Sequence, residues 1–407
     1  MIKQQFEAPA RYKKWTYGLL AVGLVAFLAG FFFLGLSKDE HDKTRFWAGL
    51  LQNSLYFLMI CNVCMFFICI NILGHSSWQT TFRRIPEAIA AVVPVFAVTS
   101  MIVFIAIIAG DQHHIYHWID KEAVAGDKIL SWKKGFLNPV FFFTWTVITL
   151  GVWILVGRKI RQLSLRADAG EITGEEARRY IWNNTVWAGI FVVFFALTTG
   201  STIPWLWLMS IDAHWYSTMY SWYTFMSSFV GGLALIALFV IFLKNQGYLE
   251  HTTKEQLHDI GKYIFAFSIF WAYLWFSQFM LIWYANIPEE TIYFKPRLQG
   301  AYKGIFWFNF IINFIAPILI LMTRGSKRNY AIMTFMAIAL VFGHWLDFYQ
   351  MVMPGAMGDH YSLGWYEWGM LAFFSGILMF FTGRALAKAP LVPVYHPYFK
   401  ESLIHHT

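Results

Sequence analysis

The sequence predicts an all-α polytopic membrane protein with about ten transmembrane helices. Hydrophobic residues make up 58% of the 407 residues and aromatic residues 20%, whereas only 13% are charged, a composition that does not suit a water-facing surface. The apolar residues form long continuous blocks. The strands of a membrane β-barrel would instead alternate at every second residue, so both observations favour helices.

Ten apolar blocks are long enough to cross about 30 Å of hydrocarbon as helices. In chain order they are residues 15–36, 46–73, 86–109, 136–156, 183–209, 217–243, 260–285, 304–323, 330–350 and 361–386. The first block is longer than the roughly 7 to 15 residues of a signal-peptide core and lacks a small-residue cleavage site, so we expect it to be retained. We expect residues 1–407 to form a single integral membrane domain.

Lysine and arginine are unevenly divided between the two sides of these spans. The side that carries both termini holds about two thirds of the 31 basic residues. Because basic residues concentrate in cytoplasmic loops, both termini are expected in the cytoplasm. The same rule accounts for the net charge of +8, so membrane lipids rather than nucleic acid are the expected partners.

This orientation places several polar residues in the outer half of the membrane. The segment "LVFGHWLDFYQMVMPG" contains His344 and Asp347, which are three residues apart and share a helix face. An ionisable residue in a bilayer costs roughly 2.5 to 3.5 kcal/mol, so this pair requires an explanation. We expect the two side chains to hydrogen-bond and to transfer protons, because histidine titrates near neutrality. The alternative is that both residues only hold helices together or reach to the interface.

Two further pairs are candidates for proton transfer. Asp212 and His214 lie in the turn between the fifth and sixth blocks, where they form either an outer proton exit or an N-cap arrangement for the sixth helix. At the inner face, Pro86 and Glu87 begin the third block, a position that helix capping and the helix dipole favour without any function. The alternative to this structural role is that Glu87 and His75 together form a proton entrance.

The remaining candidates concern ligands. Gln278, Glu367 and Asp111 fall in the outer half and are expected to line a cavity for a quinone or for protons. The cysteines at 61, 64 and 69 lie within an apolar helix, where a thiolate is disfavoured, so we interpret them as buried apolar residues. We expect no metal site in this chain.

Three stretches of the sequence are similar to a known family. They are "DIGKYIFAFSIFWAYLWFSQFMLIWYANIPEE" (Asp259–Glu290), "LMSIDAHWYSTMYSW" (Leu208–Trp222) and "GHWLDFYQMVMPG" (Gly343–Gly355). The chain resembles the F-subunit family of bacterial alternative complex III, which belongs to the polysulfide-reductase (NrfD-like) integral membrane proteins. The matching positions are Asp212, His214, Gln278, His344 and Asp347, while Ala213 stands where a proline often precedes the histidine.

The resemblance implies an architecture of two four-helix bundles. The first would comprise residues 46–156 and 183–209, and the second residues 217–350. Residues 15–36 and 361–386 would form two peripheral helices.

The resemblance also implies a role in respiration. The chain would be a quinone-binding-type subunit of a quinol:cytochrome c oxidoreductase in the bacterial inner membrane, involved in proton transfer and assembly. Its expected partners are a larger homologous membrane subunit, an iron-sulfur subunit and c-type cytochrome subunits, with cytochrome c or a terminal oxidase as acceptor. Iron-sulfur clusters and haem c would lie in those partners, and menaquinone or another quinone is the only cofactor expected near this chain. A structural scaffold and a secondary transporter are the alternatives.

Overall fold

The computed structural model describes residues 5–360 and 363–406. The described residues are 79% helical and include no strand. Ten helices among them are long and apolar enough to cross a membrane. We number them spans 1 to 10: Ala10–Gly35, Glu40–Leu73, Arg84–Ala109, Pro139–Arg166, Gly174–Trp207, Met219–Asn245, Lys254–Ala285, Lys303–Leu321, Tyr330–Met357 and Trp365–Leu386. The prediction of an all-α polytopic membrane protein is confirmed.

Several spans begin earlier than the apolar pattern predicts, because polar capping residues extend them. Span 2 begins at Glu40 rather than at 46, since the Asp39 carboxylate accepts a hydrogen bond from a backbone N–H of the first turn. Span 7 follows a capping box formed by Thr253 and Gln256. The predicted start of span 10 at 361 lies outside the described residues, and the described helix begins at Trp365.

Spans 2 and 6 form the centre of the molecule. In each of them 89% of the most apolar stretch is buried, compared with 17% in span 1. Span 2 packs on spans 3 and 5, and span 6 packs on spans 7 and 9. The two groups meet where span 2 contacts spans 6 and 9, while spans 1 and 10 pack against each other at the periphery.

Two spans contain a π turn directly before a proline. Thr198–Thr202 precedes Pro204 in span 5, and Ile311–Ile315 precedes Pro317 in span 8. Proline has no N–H to donate to the preceding turn, and the wider turn accommodates this loss. The π turn of span 8 contains Asn313, which belongs to the site described below.

Both ends of the described chain lie at the same face. The Gln5 amide donates a hydrogen bond to the Ala387 carbonyl at 2.7 Å, and His405 lies 2.5 Å from the Asp259 carboxylate at the start of span 7. We call this the inner face, because the distribution of basic residues predicts that it is cytoplasmic. The opposite face is the outer face.

Spans 1 and 10 approach so closely that a glycine is required between them. A Cβ atom on Gly23 would lie 2.3 Å from the Cα of Phe373, whereas one on Gly18 of the same span would meet no atom within 4 Å. We expect Gly23→Leu to separate the two spans and to destabilise the protein by about 1 to 3 kcal/mol, as overpacking does. Thermal unfolding in detergent would show a lower Tm for Gly23→Leu than for Gly18→Leu. Equal Tm values would contradict this packing.

Candidate functional site

Asp347 of span 9 is fully buried and accepts hydrogen bonds from three other spans. The Tyr223 hydroxyl of span 6 donates to Oδ1, and the Asn309 amide of span 8 donates to the same oxygen at 2.7 Å. The Trp271 indole of span 7 donates to Oδ2 at 2.9 Å. All three neighbouring side chains donate a hydrogen bond to Asp347, which suits an ionised carboxylate because it can only accept hydrogen bonds. A single carboxylate therefore joins spans 6 to 9.

His344 lies one turn closer to the inner face on the same side of span 9. Its Nδ1 is 4.0 Å from Oδ2 of Asp347, which is too long for the predicted direct hydrogen bond. The Ser227 hydroxyl lies 3.1 Å from Nδ1 and also interacts with Asp347, so it bridges the pair. The Nε2 atom of His344 is buried and has no hydrogen-bond partner among the described residues.

Two amides of span 8 extend this cluster. Asn313 donates from Nδ2 to Oδ1 of Asn309 at 2.6 Å, and Asn309 in turn donates to Asp347. Oδ1 of Asn313 is buried without a partner in the described part of the chain. Span 8 thus presents two amides in line with the acid, one in its first α-helical part and one in the π turn.

A cavity of about 20 Å³ lies next to the donors of Asp347, toward the outer face. This volume is enough for about one water molecule. The amide oxygens of Gln278 and Gln350 are buried without a partner in the described ranges, and both residues line the cavity. The other lining residues are Tyr223, Trp275, Tyr293, Phe294, Arg297, Phe306 and Asn309. Gln278, predicted from the sequence as a cavity residue, therefore lies beside the Asp347 cluster.

Arg297, in a short helix of the outer loop between spans 7 and 8, connects this cavity to Asp212. It is only 2% exposed, and its Nε donates to the Gln350 carbonyl at 3.0 Å. Its guanidinium lies 3.5 Å above the centre of the Tyr293 ring. Nη2 donates to Oδ2 of Asp212 at 3.4 Å. Burial raises the pKa of the Asp212 carboxyl, and the positive charge of Arg297 opposes that rise.

Asp212 borders a groove on the outer face. Its carboxylate oxygens lie 3.0 Å from the position that a Cβ would take on Gly355. Gly355 lines a groove of about 450 Å³, together with His117 and His360. Polar groups therefore extend from the buried Asp347 through the cavity and Arg297 to this outer groove.

His214 and Asp111 lie away from the cluster. Nε2 of His214 is 2.6 Å from Oδ2 of Asp127, and this pair is solvent-exposed. The His214 hydrogen bond lowers the pKa of the Asp127 carboxyl. Asp111 is exposed and adopts a left-handed conformation, with φ of 52°, in the loop that follows span 3. Although the sequence places both residues near the outer face, neither lines the cavity next to Asp347.

Glu367 is fully buried but bound elsewhere. Its two carboxylate oxygens accept hydrogen bonds from Arg45 at 2.8 and 2.7 Å. One of them also accepts the backbone N–H of Gly364 at 2.7 Å. Glu367 therefore links span 10 to span 2, and it does not line the cavity that the sequence predicts for it.

At the inner face, Glu87 lies in a buried ion-pair network. Its two oxygens each accept a hydrogen bond at 2.9 Å, one from Arg83 and one from Arg84. His75 is exposed and contacts the Tyr398 hydroxyl at 3.3 Å. His75 and Arg83 line one cavity of about 20 Å³, so Arg83 stands between the two residues of the predicted proton entrance.

The described residues include no group of three or more histidine, cysteine, aspartate or glutamate side chains arranged to hold a metal ion. Cys61, Cys64 and Cys69 are buried, unpaired and located within span 2.

Several residues of the cluster are missing from the sequence-based prediction. Gln350 follows Asp347 by three residues and so shares its helix face, a spacing that could have indicated it. Tyr223 and Trp271 carry no such signal, because the chain contains 20 tyrosines and 20 tryptophans. Arg297 lies in an outer loop, and nothing in its neighbourhood predicts its contact with Asp212.

No protein-family model matches the chain, and no curated protein matches it.

The hydrogen bond from Tyr223 to Asp347 can be tested by a double-mutant cycle. Removing a donor from a buried acceptor costs about 1 to 3 kcal/mol, so we expect Tyr223→Phe to lower the free energy of unfolding by that amount. In an Asp347→Asn background the same change should cost less, because the charged acceptor is gone. Denaturant titration would measure both effects, with the 84%-exposed Tyr284 changed to Phe as control. Identical costs in the two backgrounds would contradict the contact.

Proposed function

We propose that this chain is a proton-transferring membrane subunit of a quinol:electron-acceptor oxidoreductase in the bacterial inner membrane. The observation that supports the proposal is the fully buried Asp347, connected by polar groups to the outer face. An ionisable residue inside a membrane is costly and usually serves the movement of ions or protons. The multi-pass helical fold provides the surroundings in which such a residue can act.

The size of the cavity favours proton transfer over quinone binding at Asp347. The cavity has a volume of about 20 Å³, whereas a cavity that binds benzene has roughly 150 Å³. Water fits such a space and can relay a proton between groups that lie within hydrogen-bond reach. We therefore place quinol oxidation in a partner subunit and assign this chain the transfer of protons toward the outer face.

Each group of the cluster has a distinct role in this proposal. Asp347 accepts and releases the proton, and His344 is a second proton-binding group reached through Ser227. Gln278 and Gln350 bind the water that connects the acid with the outer loop. Their unpartnered amide oxygens supply the acceptors that such a water requires.

Arg297 and Asp212 form the exit in this scheme. The Arg297 guanidinium is a fixed positive charge between the cavity and Asp212. Its charge opposes the rise that burial causes in the pKa of Asp212, so a proton that reaches this carboxylate is readily given up. Asp212, at the edge of the outer groove, then releases the proton to solvent.

The resemblance to the F-subunit family of alternative complex III supplies the proposed assembly. In that assembly the chain packs against a larger homologous membrane subunit, an iron-sulfur subunit and c-type cytochrome subunits. Electrons pass through those partners to cytochrome c or a terminal oxidase. Menaquinone or another quinone is the electron source, and this chain carries no redox centre.

A purely structural role is the second candidate, and one observation favours it. Glu87 and Glu367 are both neutralised by arginines, and each oxygen of Asp347 accepts at least one hydrogen bond. Fully satisfied polar groups stabilise a bundle without any chemistry. The two candidates differ in whether Asp347 changes its protonation state during turnover.

The test is proton release by the assembled complex in sealed vesicles. We expect Asp347→Asn to lower proton release to the outer side by at least about tenfold, the effect expected when a general acid or base is removed. Asp111→Asn is the matched control, because Asp111 is an exposed acid at the same face and does not line the cavity. Proton release unchanged by Asp347→Asn in a correctly assembled complex would favour the structural role.

A further inference from the structure

Another cavity, of about 270 Å³, lies near the outer ends of spans 4 and 5. Its walls come from the segment that precedes span 4, the end of span 5 and the turn that leads into span 6. The lining is largely apolar and includes Phe136, Leu137 and Met209, with Lys133 at its edge as the single charged residue. None of these residues lines the cavity next to Asp347, so the two sites are separate.

Lys133 is a half-buried cation, and the acid that acts on its charge, Asp127, is hydrogen-bonded to His214 rather than to Lys133. Its Nζ donates to the carbonyls of Ala213 at 2.6 Å and Trp215 at 3.4 Å, which uses two of its three N–H groups. No carboxylate among the described residues lies within 4.0 Å of it. Burial lowers the pKa of the Lys133 ammonium, and the charge of Asp127 opposes this only in part, so the cavity favours a further anion.

Two tryptophans of the same cavity have unused hydrogen-bond donors. The indole N–H groups of Trp205 and Trp215 are buried and have no partner in the described part of the chain. A buried donor without an acceptor costs about 1 to 3 kcal/mol. The cavity therefore combines one cation with an unused N–H group, two unpartnered indole N–H donors and an apolar wall.

The position of the cavity indicates which kind of molecule reaches it. Trp132 and Tyr216, 77% and 68% exposed, lie beside it and are typical of side chains at the level of lipid headgroups. The loop before span 4 also carries four lysines on the side expected to be poorer in basic residues. Basic residues near a membrane surface attract anionic lipid headgroups.

We propose that this cavity binds one membrane phospholipid, with the headgroup phosphate on Lys133 and the two tryptophan N–H groups. The acyl chains follow the apolar wall formed by Phe136, Leu137 and Met209 into the bilayer. This inference does not depend on proton transfer by Asp347.

The bound lipid would also support the wall of the Asp347 cavity. The Trp215 ring stacks on Tyr293 with centroids 4.1 Å apart and planes inclined by 15°. Tyr293 in turn lies beneath the guanidinium of Arg297. A headgroup that orders Trp215 therefore orders the stack of Tyr293 and Arg297, which lines the cavity next to Asp347.

Native mass spectrometry of the detergent-purified full-length chain tests the proposal. The probes are dioleoyl phosphatidylglycerol and dioleoylglycerol, which differ in the presence of the phosphate headgroup. We expect one phosphatidylglycerol to be retained with an occupancy at least about tenfold higher than that of dioleoylglycerol, because charge-assisted hydrogen bonds contribute at least this ratio. Lys133→Gln should remove this preference.

Matched variants separate the site from general effects of charge and folding. Lys128→Gln is the control, because Lys128 lies on the same loop over the exposed Trp132 ring and does not line the cavity. Trp205→Phe removes one N–H but keeps the apolar shape, so it should weaken retention of phosphatidylglycerol even if Lys133→Gln fails to fold. The proposal would be overturned if the two probes were retained equally, or if Lys128→Gln and Lys133→Gln lost phosphatidylglycerol equally. Recovery of an isoprenoid quinone in place of the phospholipid would also overturn it.

Discussion

A carboxylate inside a membrane must obtain all of its hydrogen bonds from the protein, because lipid tails offer none. Asp347 meets this constraint with donors from spans 6, 7 and 8, and these hydrogen bonds hold the four helices in their observed register. Asn309, one of these donors, accepts in turn a hydrogen bond from Asn313, four residues further along span 8. The packing of spans 6 to 9 and the chemistry of the site thus both depend on the Asp347 carboxylate.

The surroundings of this carboxylate differ between its two sides. Toward the outer face lie a water-sized cavity, buried amides, Arg297 and Asp212. Toward the inner face, span 6 packs on span 2 through Gly231 and Gly232, and a Cβ on Gly232 would lie 2.5 Å from a Val63 methyl group. Packing this close leaves no room for water at the contact between spans 2 and 6, as the proposed exchange of protons with the outer side requires.

Much of the fold could be predicted from the sequence, because a membrane span requires a long apolar block that is visible in composition alone. Polar residues stand out within such apolar blocks, so the sequence could also propose three members of the site: Asp347, His344 and Gln278. Partners could not be predicted: Glu367 and Asp212 are both acids at the outer face, yet one binds Arg45 and the other Arg297. Those pairings depend on the angles at which helices and loops meet, which helical periodicity does not encode.

The central claim is that Asp347 exchanges protons with the outer face. Infrared spectroscopy of uniformly oriented vesicles tests this directly when the pH is changed on one side of the membrane at a time. The carboxyl band of Asp347 is identified as the band that is lost in Asp347→Asn. The account predicts that this band follows the outer pH and does not respond to the inner pH. A band that follows the inner pH, or one that never changes, would contradict it.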